Sequence, residues 1–248
     1  MTDQAAISQA IAPGYTFEGP ALELGGLLAD AVTLTGDHIK IPLAMLNRHG
    51  LVAGATGTGK TKTLQLLAEQ LSASGVPVFA ADIKGDLSGL SVAGESNPKI
   101  VERTSSIGQD WQAQGFPVEY FAIGGQGIGI PLRVTMSAFG PTLLSKVLGL
   151  NDTQESSLGL IFHYADKAGL PLLDLSDLRA VVNHLVSDEG KGDLKGLGGL
   201  SSATAGVILR ELISSGSQGA DAFFDEPEFD TSDFLRVTAE GKGLISLV

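Results

Sequence analysis

The sequence predicts an α/β fold whose parallel sheet is interrupted by a long helical stretch. Three observations carry this. Residues 50–82 read as strand, glycine-rich loop, amphipathic helix, strand, the unit from which parallel sheets are built. Residues 141 to about 216 show helical periodicity with no strand between. Apolar runs at Phe116–Ile123 and Gly243–Val248 then read as further strands of the same sheet.

Taken in order, residues 1–19 form an arm punctuated by the turn signals Pro13-Gly14 and Gly19-Pro20. Residues 20–140 are the α/β region. Within it His38–Leu43 alternates polar and apolar, as a half-buried strand does. Gly50-Leu51-Val52-Ala53 is a short apolar strand, and Leu64, Leu67, Ala68 and Leu71 fall on one face of the helix that follows the loop. Ser74-Gly75 ends that helix. Val76–Ala81 is a second strand, with Asp82 at its carboxyl end. Ile130–Val134 reads as a strand after Phe116–Ile123. Residues 141–216 form the helical insertion. Pro141 suits a first helical turn, Asp152 with Glu155 resembles a capping box, Ser176 is placed to cap a helix through Leu185, and Gly190–Gly199 is a glycine-lysine loop before a helix over Ser201–Ser214. Residues 217–248 return to the sheet and end within a core strand, so the sheet is expected to be incomplete in these residues.

Bulk properties narrow the function. The chain has 248 residues, 43% of them hydrophobic, enough for a substantial core. No apolar run reaches the roughly 18 residues of a membrane span. Residues 1–10 lack the basic and apolar regions of a secretion signal, so the cytoplasm is the expected compartment. There is no cysteine, which excludes disulfides and thiolate metal sites. The net charge is −12 and no run of four or more basic residues occurs, so a general nucleic-acid surface is not visible.

The strongest motif is Gly54-Ala55-Thr56-Gly57-Thr58-Gly59-Lys60-Thr61, which matches G-x-x-x-x-G-K-T without deviation. Phosphate oxygens need several donors converging on a small space, and successive backbone N–H groups at a helix start supply them. Gly54, Gly57 and Gly59 permit the backbone angles and close approach. Lys60 is the residue for the terminal phosphates, the Thr61 hydroxyl is the Mg²⁺ ligand, and Lys62 completes the loop. A glycine-rich chain can present the bare pattern by chance, but the strand before it and the helix and strand after it are the context the motif requires. The expected ligands are ATP and Mg²⁺.

A hydrolase of this type also needs a carboxylate for the metal and a residue that positions water. Asp82 and Asp86, in the loop Asp82–Leu90 at a strand's carboxyl end, are candidates, set against a preferred reading of Asp82 as a strand-end turn residue. Phe223-Phe224-Asp225-Glu226 resembles a strand ending in Asp-Glu. Its apolar run is too short for a central strand, so it reads as a surface loop. No convincing carboxylate pair remains among these residues. His49, beside Asn47 and Arg48, reads as a loop residue at a strand start or as a contact to nucleotide or a neighbouring subunit. Asn151, Gln154 and Glu155 read as a cap. His163 and His184 have no second metal ligand at helical spacing, and Trp111 and Tyr120 read as core.

Asn47–Thr63 followed by Asp82-Ile83-Lys84-Gly85-Asp86-Leu87 resembles the HerA/FtsK superfamily of P-loop ATPases, and within it the bacterial HerA-like proteins. The similarity runs on through Leu150–Leu158 and Gly219–Asp230. The resemblance implies a RecA-like P-loop NTPase fold, ATP hydrolase activity, and assembly into a homo-oligomer, often a hexameric ring with ATP between subunits. It implies a helicase-like or DNA-translocating motor in the full-length protein, gives Lys60 and Thr61 their usual roles, and places Asp82 and Asp86 near the nucleotide. It also implies that the Asp-Glu strand follows the helical insertion, so the chain reads as the amino-terminal half of a longer ATPase. Two other readings stand beside it: a phosphotransferase or nucleotide switch using Asp82, and an ATP-binding remnant without turnover.

Overall fold

The computed structural model describes residues 3–125, 127–194, 196 and 198–248. The chain divides into two compact units, Met1–Glu119 with Thr231–Val248, and Tyr120–Asp230.

The first unit begins with helix α1, Gln4–Ile11, where the turn signals announce only an arm. Its start is set by Asp3, whose carboxylate accepts from the N–H groups of Ala5 and Ala6 at 3.1 and 3.3 Å, a side-chain cap of the usual kind. Strands β1 (Ala21–Ala29) and β2 (Val32–Pro42) form an antiparallel hairpin, of which the expected strand at 38–43 is the second half. Its two-residue turn, Asp30-Ala31, has φ of 48° and 61°, the signs of the type I′ turn that suits strand twist.

Helix α2 spans Lys60–Ala73. Ala68 and Ser72 are its buried residues, while Leu64 is exposed, so the inward face lies further round than the leucines alone suggest. Strand β3, Val78–Ala80, runs parallel to β6, Ile245–Leu247, with Val78 opposite Ile245 and Ala80 opposite Leu247. The chain between them includes helix α3, Pro98–Ile107, and enters strand β4, Val118–Ile123, whose first residues belong to this unit. There Ile245 N–H donates to the Pro117 carbonyl at 2.9 Å. Gly50–Ala53 pairs with no strand among the described residues and Leu51 is 89% exposed, so the expected apolar strand is an irregular segment instead. A strand exists through its ladder, and four apolar residues without a neighbour do not make one.

In the second unit the end of β4 pairs in parallel with β5, Ile130–Leu132. The hydrogen-bonded strand order is β3-β6-β4-β5. Four helices follow: α4 (Met136–Val147), α5 (Asp152–Lys167), α6 (Leu175–Val186) and α7 (Ser202–Ser217). Gly140, whose φ of 77° is non-helical, divides α4 into two helical pieces; Thr135 caps the first and Pro141 opens the second, as the sequence suggests. The capping box of α5 sits one residue earlier than expected: Asn151 accepts from Gln154 N–H and Gln154 accepts from Asn151 N–H. Asp174, not Ser176, caps α6. Lys195 and Leu197 of the expected glycine-lysine loop lie outside the described residues.

These helices enclose the largest buried cluster, which includes Met136, Leu158, Ile161, Leu178, Ile208 and Leu212. Phe224 joins it, and Phe224 also forms a one-residue parallel bridge with Val134. Phe223–Glu226 is therefore a bridge and loop rather than a strand.

The Asp30-Ala31 turn gives a stability prediction. A left-handed φ costs a non-glycine residue roughly 1–2 kcal/mol, and the freer unfolded chain of a glycine variant returns about 0.4–1 kcal/mol of that. Ala31→Gly should therefore raise the unfolding free energy by roughly 0–1.6 kcal/mol, read as a higher urea midpoint at unchanged m-value. A lowered midpoint would contradict the turn geometry.

Candidate phosphate-binding site

The loop Gly54–Gly59 is exposed, and Lys60 and Thr61 are half-buried at the start of α2. Two glycines take conformations that a side chain disfavours: φ is 81° at Gly57 and 94° at Gly59. Gly54 is needed for space, because a Cβ there would collide with the Thr58 hydroxyl. Gly59 occupies the N-cap position and offers no side chain, so the first turn of α2 has no side-chain cap.

The first N–H groups of a helix have no partner within it. In α2 Thr63 N–H bonds back to the Gly59 carbonyl at 2.9 Å, while the N–H groups of Gly59, Lys60, Thr61 and Lys62 have no acceptor among the described residues. Four donors, the positive end of the helix dipole and two lysines thus meet at one exposed turn. Lys60 is folded onto its own loop: Nζ donates to the Ala55 carbonyl at 2.7 Å, and the Thr58 hydroxyl donates to the same oxygen at 2.8 Å. The arrangement can receive an anion of phosphate size, which fits a polyphosphate ligand.

Asp82 follows β3. Its N–H donates to the Val248 carbonyl at 2.7 Å, so β6 anchors it. One carboxylate oxygen, Oδ2, accepts from Leu87 N–H at 2.9 Å and stands 3.5 Å from the Ser88 hydroxyl. Gly85, with φ of 73°, turns the chain between them. The carboxylate closes its own loop, as the turn reading requires, and its other oxygen is left over for a second task. Asp86 is exposed, and its backbone carbonyl accepts from Gln65 Nε2 of α2 at 2.7 Å. Lys62 Nζ in turn donates to Gln65 Oε1 at 2.8 Å. Helix α2 and the acidic loop are therefore joined through Gln65. Sequence reading passed over that residue; its place one turn after Thr61, on the face that carries Lys62, is the signal that could have found it.

Each remaining candidate has surroundings of its own. His49 is exposed in the segment before Gly50. Glu155 pairs with Lys146 at 2.9 Å. His184 Nε2 and Tyr164 Oη both contact Asp193 Oδ2, at 2.9 and 3.0 Å, and these bonds hold the Asp193 carboxyl below the usual range. Asp225 and Glu226 lie in the second unit, where Arg133 donates to the Glu226 carbonyl at 2.9 Å. Trp111 is half-buried, not core. Among the described residues no three acidic, histidine or cysteine side chains gather to hold a metal ion, and no helix is long and apolar enough to cross a membrane.

Comparison with known proteins agrees with the sequence motifs. The family described as "Helicase HerA-like C-terminal" matches residues 29–248. No curated protein matches the chain. Among solved structures, the bacterial conjugative coupling protein TrwBdeltaN70, in an unbound form, superposes with a TM-score of 0.49 at 15% identity, over 97% of this chain and 53% of that one. The chain thus spans about half the length of that protein.

The Asp82 contacts give a local prediction. Removing the acceptor leaves the Leu87 N–H, in a residue only 8% exposed, without a partner. That should cost about 1–3 kcal/mol locally. In Asp82→Ala, amide exchange at Leu87 should quicken by roughly five- to 150-fold, whereas Asp82→Asn, which keeps an acceptor, should stay near wild type. Unchanged exchange in the alanine variant would show that this bond does not hold the loop.

Proposed function

The chain belongs to the HerA-like helicase C-terminal family, and from that premise we propose that Gly54–Thr61 binds the polyphosphate of ATP with Mg²⁺, as the nucleotide-binding part of a DNA-acting ATPase motor. The observation that carries the reading is the start of α2, with its open N–H donors at Gly59, Lys60, Thr61 and Lys62 behind a glycine N-cap.

The residues divide the work. Loop and helix N–H groups bind phosphate oxygens. The Lys60 ammonium exchanges the Ala55 carbonyl for a β- or γ-phosphate oxygen, an anionic acceptor in place of a neutral one. The Thr61 hydroxyl would hold Mg²⁺, whose charge would neutralise the phosphates. The free oxygen of Asp82 and the exposed carboxylate of Asp86 are the groups for the metal's water shell or the attacking water. Gln65 keeps their loop attached to the helix that carries Lys60. In this reading the protein works as a homo-oligomeric ring in the cytoplasm, with ATP between subunits. With a net charge of −12, contact with DNA falls to a few residues per subunit rather than to a broad basic face.

Titration with ATP in the presence and absence of Mg²⁺ tests the binding claim. Lys60→Ala removes a charge-assisted bond worth about 1.5–3 kcal/mol and should weaken ATP binding at least about tenfold. Equal affinity in the two proteins would refute the reading. Phosphate release with and without duplex DNA tests the motor claim separately: stimulation supports it, and binding without any DNA effect removes DNA from the proposal while leaving the nucleotide site intact.

A further inference from the structure

The first unit also holds a cavity of about 630 Å³ that none of the residues Gly54–Thr61 lines. One wall is a face of α2, carrying Lys62, Gln65, Glu69 and Gln70. The rest of the lining comes from the start of β1, the chain after the acidic loop, and the segment Gln109–Gln114, which includes Trp111. The volume falls within the roughly 300–1,000 Å³ usual for small-molecule sites.

Four of the polar side chains on these walls, Glu23, Lys62, Gln65 and Gln70, are already paired. Glu23 bonds to His38 Nδ1 and Lys40 Nζ, each at 3.0 Å, and these bonds outweigh burial and hold its carboxyl below the usual range. Gln70 is paired with both the N–H and the carbonyl of Glu23, at 2.7 and 2.8 Å. Gln65 is engaged by Lys62 and Asp86. Glu69 differs. Its carboxylate has no hydrogen-bond partner among the described residues, and burial pushes it up, with Lys62 only partly opposing. Asp110 and the Trp111 ring likewise line the cavity without a hydrogen bond from another side chain among the described residues.

An unpaired, partly desolvated carboxylate and an uncovered indole call for the same occupant. The carboxylate regains what burial costs it when a cation approaches. The indole face attracts a cation or packs its alkyl stem. We propose that this cavity binds a small organic cation, an alkylguanidinium or alkylammonium, with Glu69 as its counter-ion and Trp111 as the surface on which it lies.

Trp111 is the only tryptophan in the chain, so its fluorescence reads this cavity alone. The full chain is titrated with agmatine, with arginine blocked at both ends as a peptide-borne guanidinium, and with butylurea as a neutral counterpart of similar shape. Saturable change with a cation, weakened about tenfold or more in Glu69→Gln with an unaltered circular dichroism spectrum, supports the proposal. Tighter binding of agmatine identifies a free small cation, and tighter binding of the blocked arginine identifies a side chain of a peptide. Equal response to butylurea, equal affinity in Glu69→Gln, or no saturable change with either cation overturns it. If Glu69→Gln does not fold, the comparison of agmatine with butylurea on the native chain decides.

Discussion

The placement of the candidate site depends on a reciprocal pair of hydrogen bonds between Ser72 and Gly243. The Ser72 hydroxyl, fully buried, donates to the Gly243 carbonyl at 2.6 Å, and Gly243 N–H donates to the Ser72 carbonyl at 2.8 Å. A Cβ at position 243 would run into the Val76 carbonyl, so the approach requires glycine. Ser72 closes the helix that begins at the phosphate loop. Gly243 opens the segment that becomes β6, and β6 pairs with β3 and ends by anchoring Asp82 through Val248. One contact thus relates the phosphate loop, at one end of α2, to the acidic loop, at one end of β3. Leaving such a buried hydroxyl without its partner costs about 1–3 kcal/mol, more than most surface changes.

The phosphate loop shows the opposite economy. It is exposed and its glycines hold it in left-handed turns, so it gains little from burial. Its shape comes from contacts inside the loop, where Lys60 and Thr58 both donate to the Ala55 carbonyl. Those bonds satisfy the lysine without satisfying the backbone N–H groups. The donors that define the site stay open while the one mobile charge is parked beside them. On the proposed reading, ligand binding asks for the displacement of the Lys60 side chain rather than the ordering of a loop, which keeps its entropic cost small.

What could be read in the sequence and what could not divide along the range of the interactions. The G-x-x-x-x-G-K-T loop, the helices from α4 to α7 and the strands β3, β4 and β6 depend on local pattern, and all were visible. Gly50–Ala53 is as apolar as β3 but finds no ladder, because pairing is set by residues far away in sequence. The capping boxes were displaced by one or two residues, since Asn, Asp and Ser compete for the same position and the winner depends on where helical geometry starts. Helix α1 hid because its one strong signal, Asp3, precedes a stretch broken by Pro13-Gly14. Gln65 and Glu69 were invisible for a further reason. Both read as the polar face of an amphipathic helix, and only the neighbours brought by the fold separate a solvated glutamate from one that lines a cavity.

The charge balance constrains how such a chain can hold a polyanion. A net charge of −12 repels phosphate at long range, but beyond about 8–10 Å physiological salt screens most of that repulsion. Inside that distance the start of α2 presents backbone donors and dipole rather than a dense basic cluster, with Lys60 and Lys62 as the nearby cations. Backbone donors carry no formal charge, so they do not attract unrelated polyanions from a distance, yet they bind strongly once a phosphate sits among them. The same acidity acts the other way at the Trp111 cavity. There Glu69, only partly compensated by Lys62, lines the same cavity as a half-buried aromatic ring, and a net negative protein field favours a cation over an anion. On the two proposals, helix α2 receives an anion at its first turn and a cation on its flank, with Lys62, bonded to Gln65, belonging to both sets of residues.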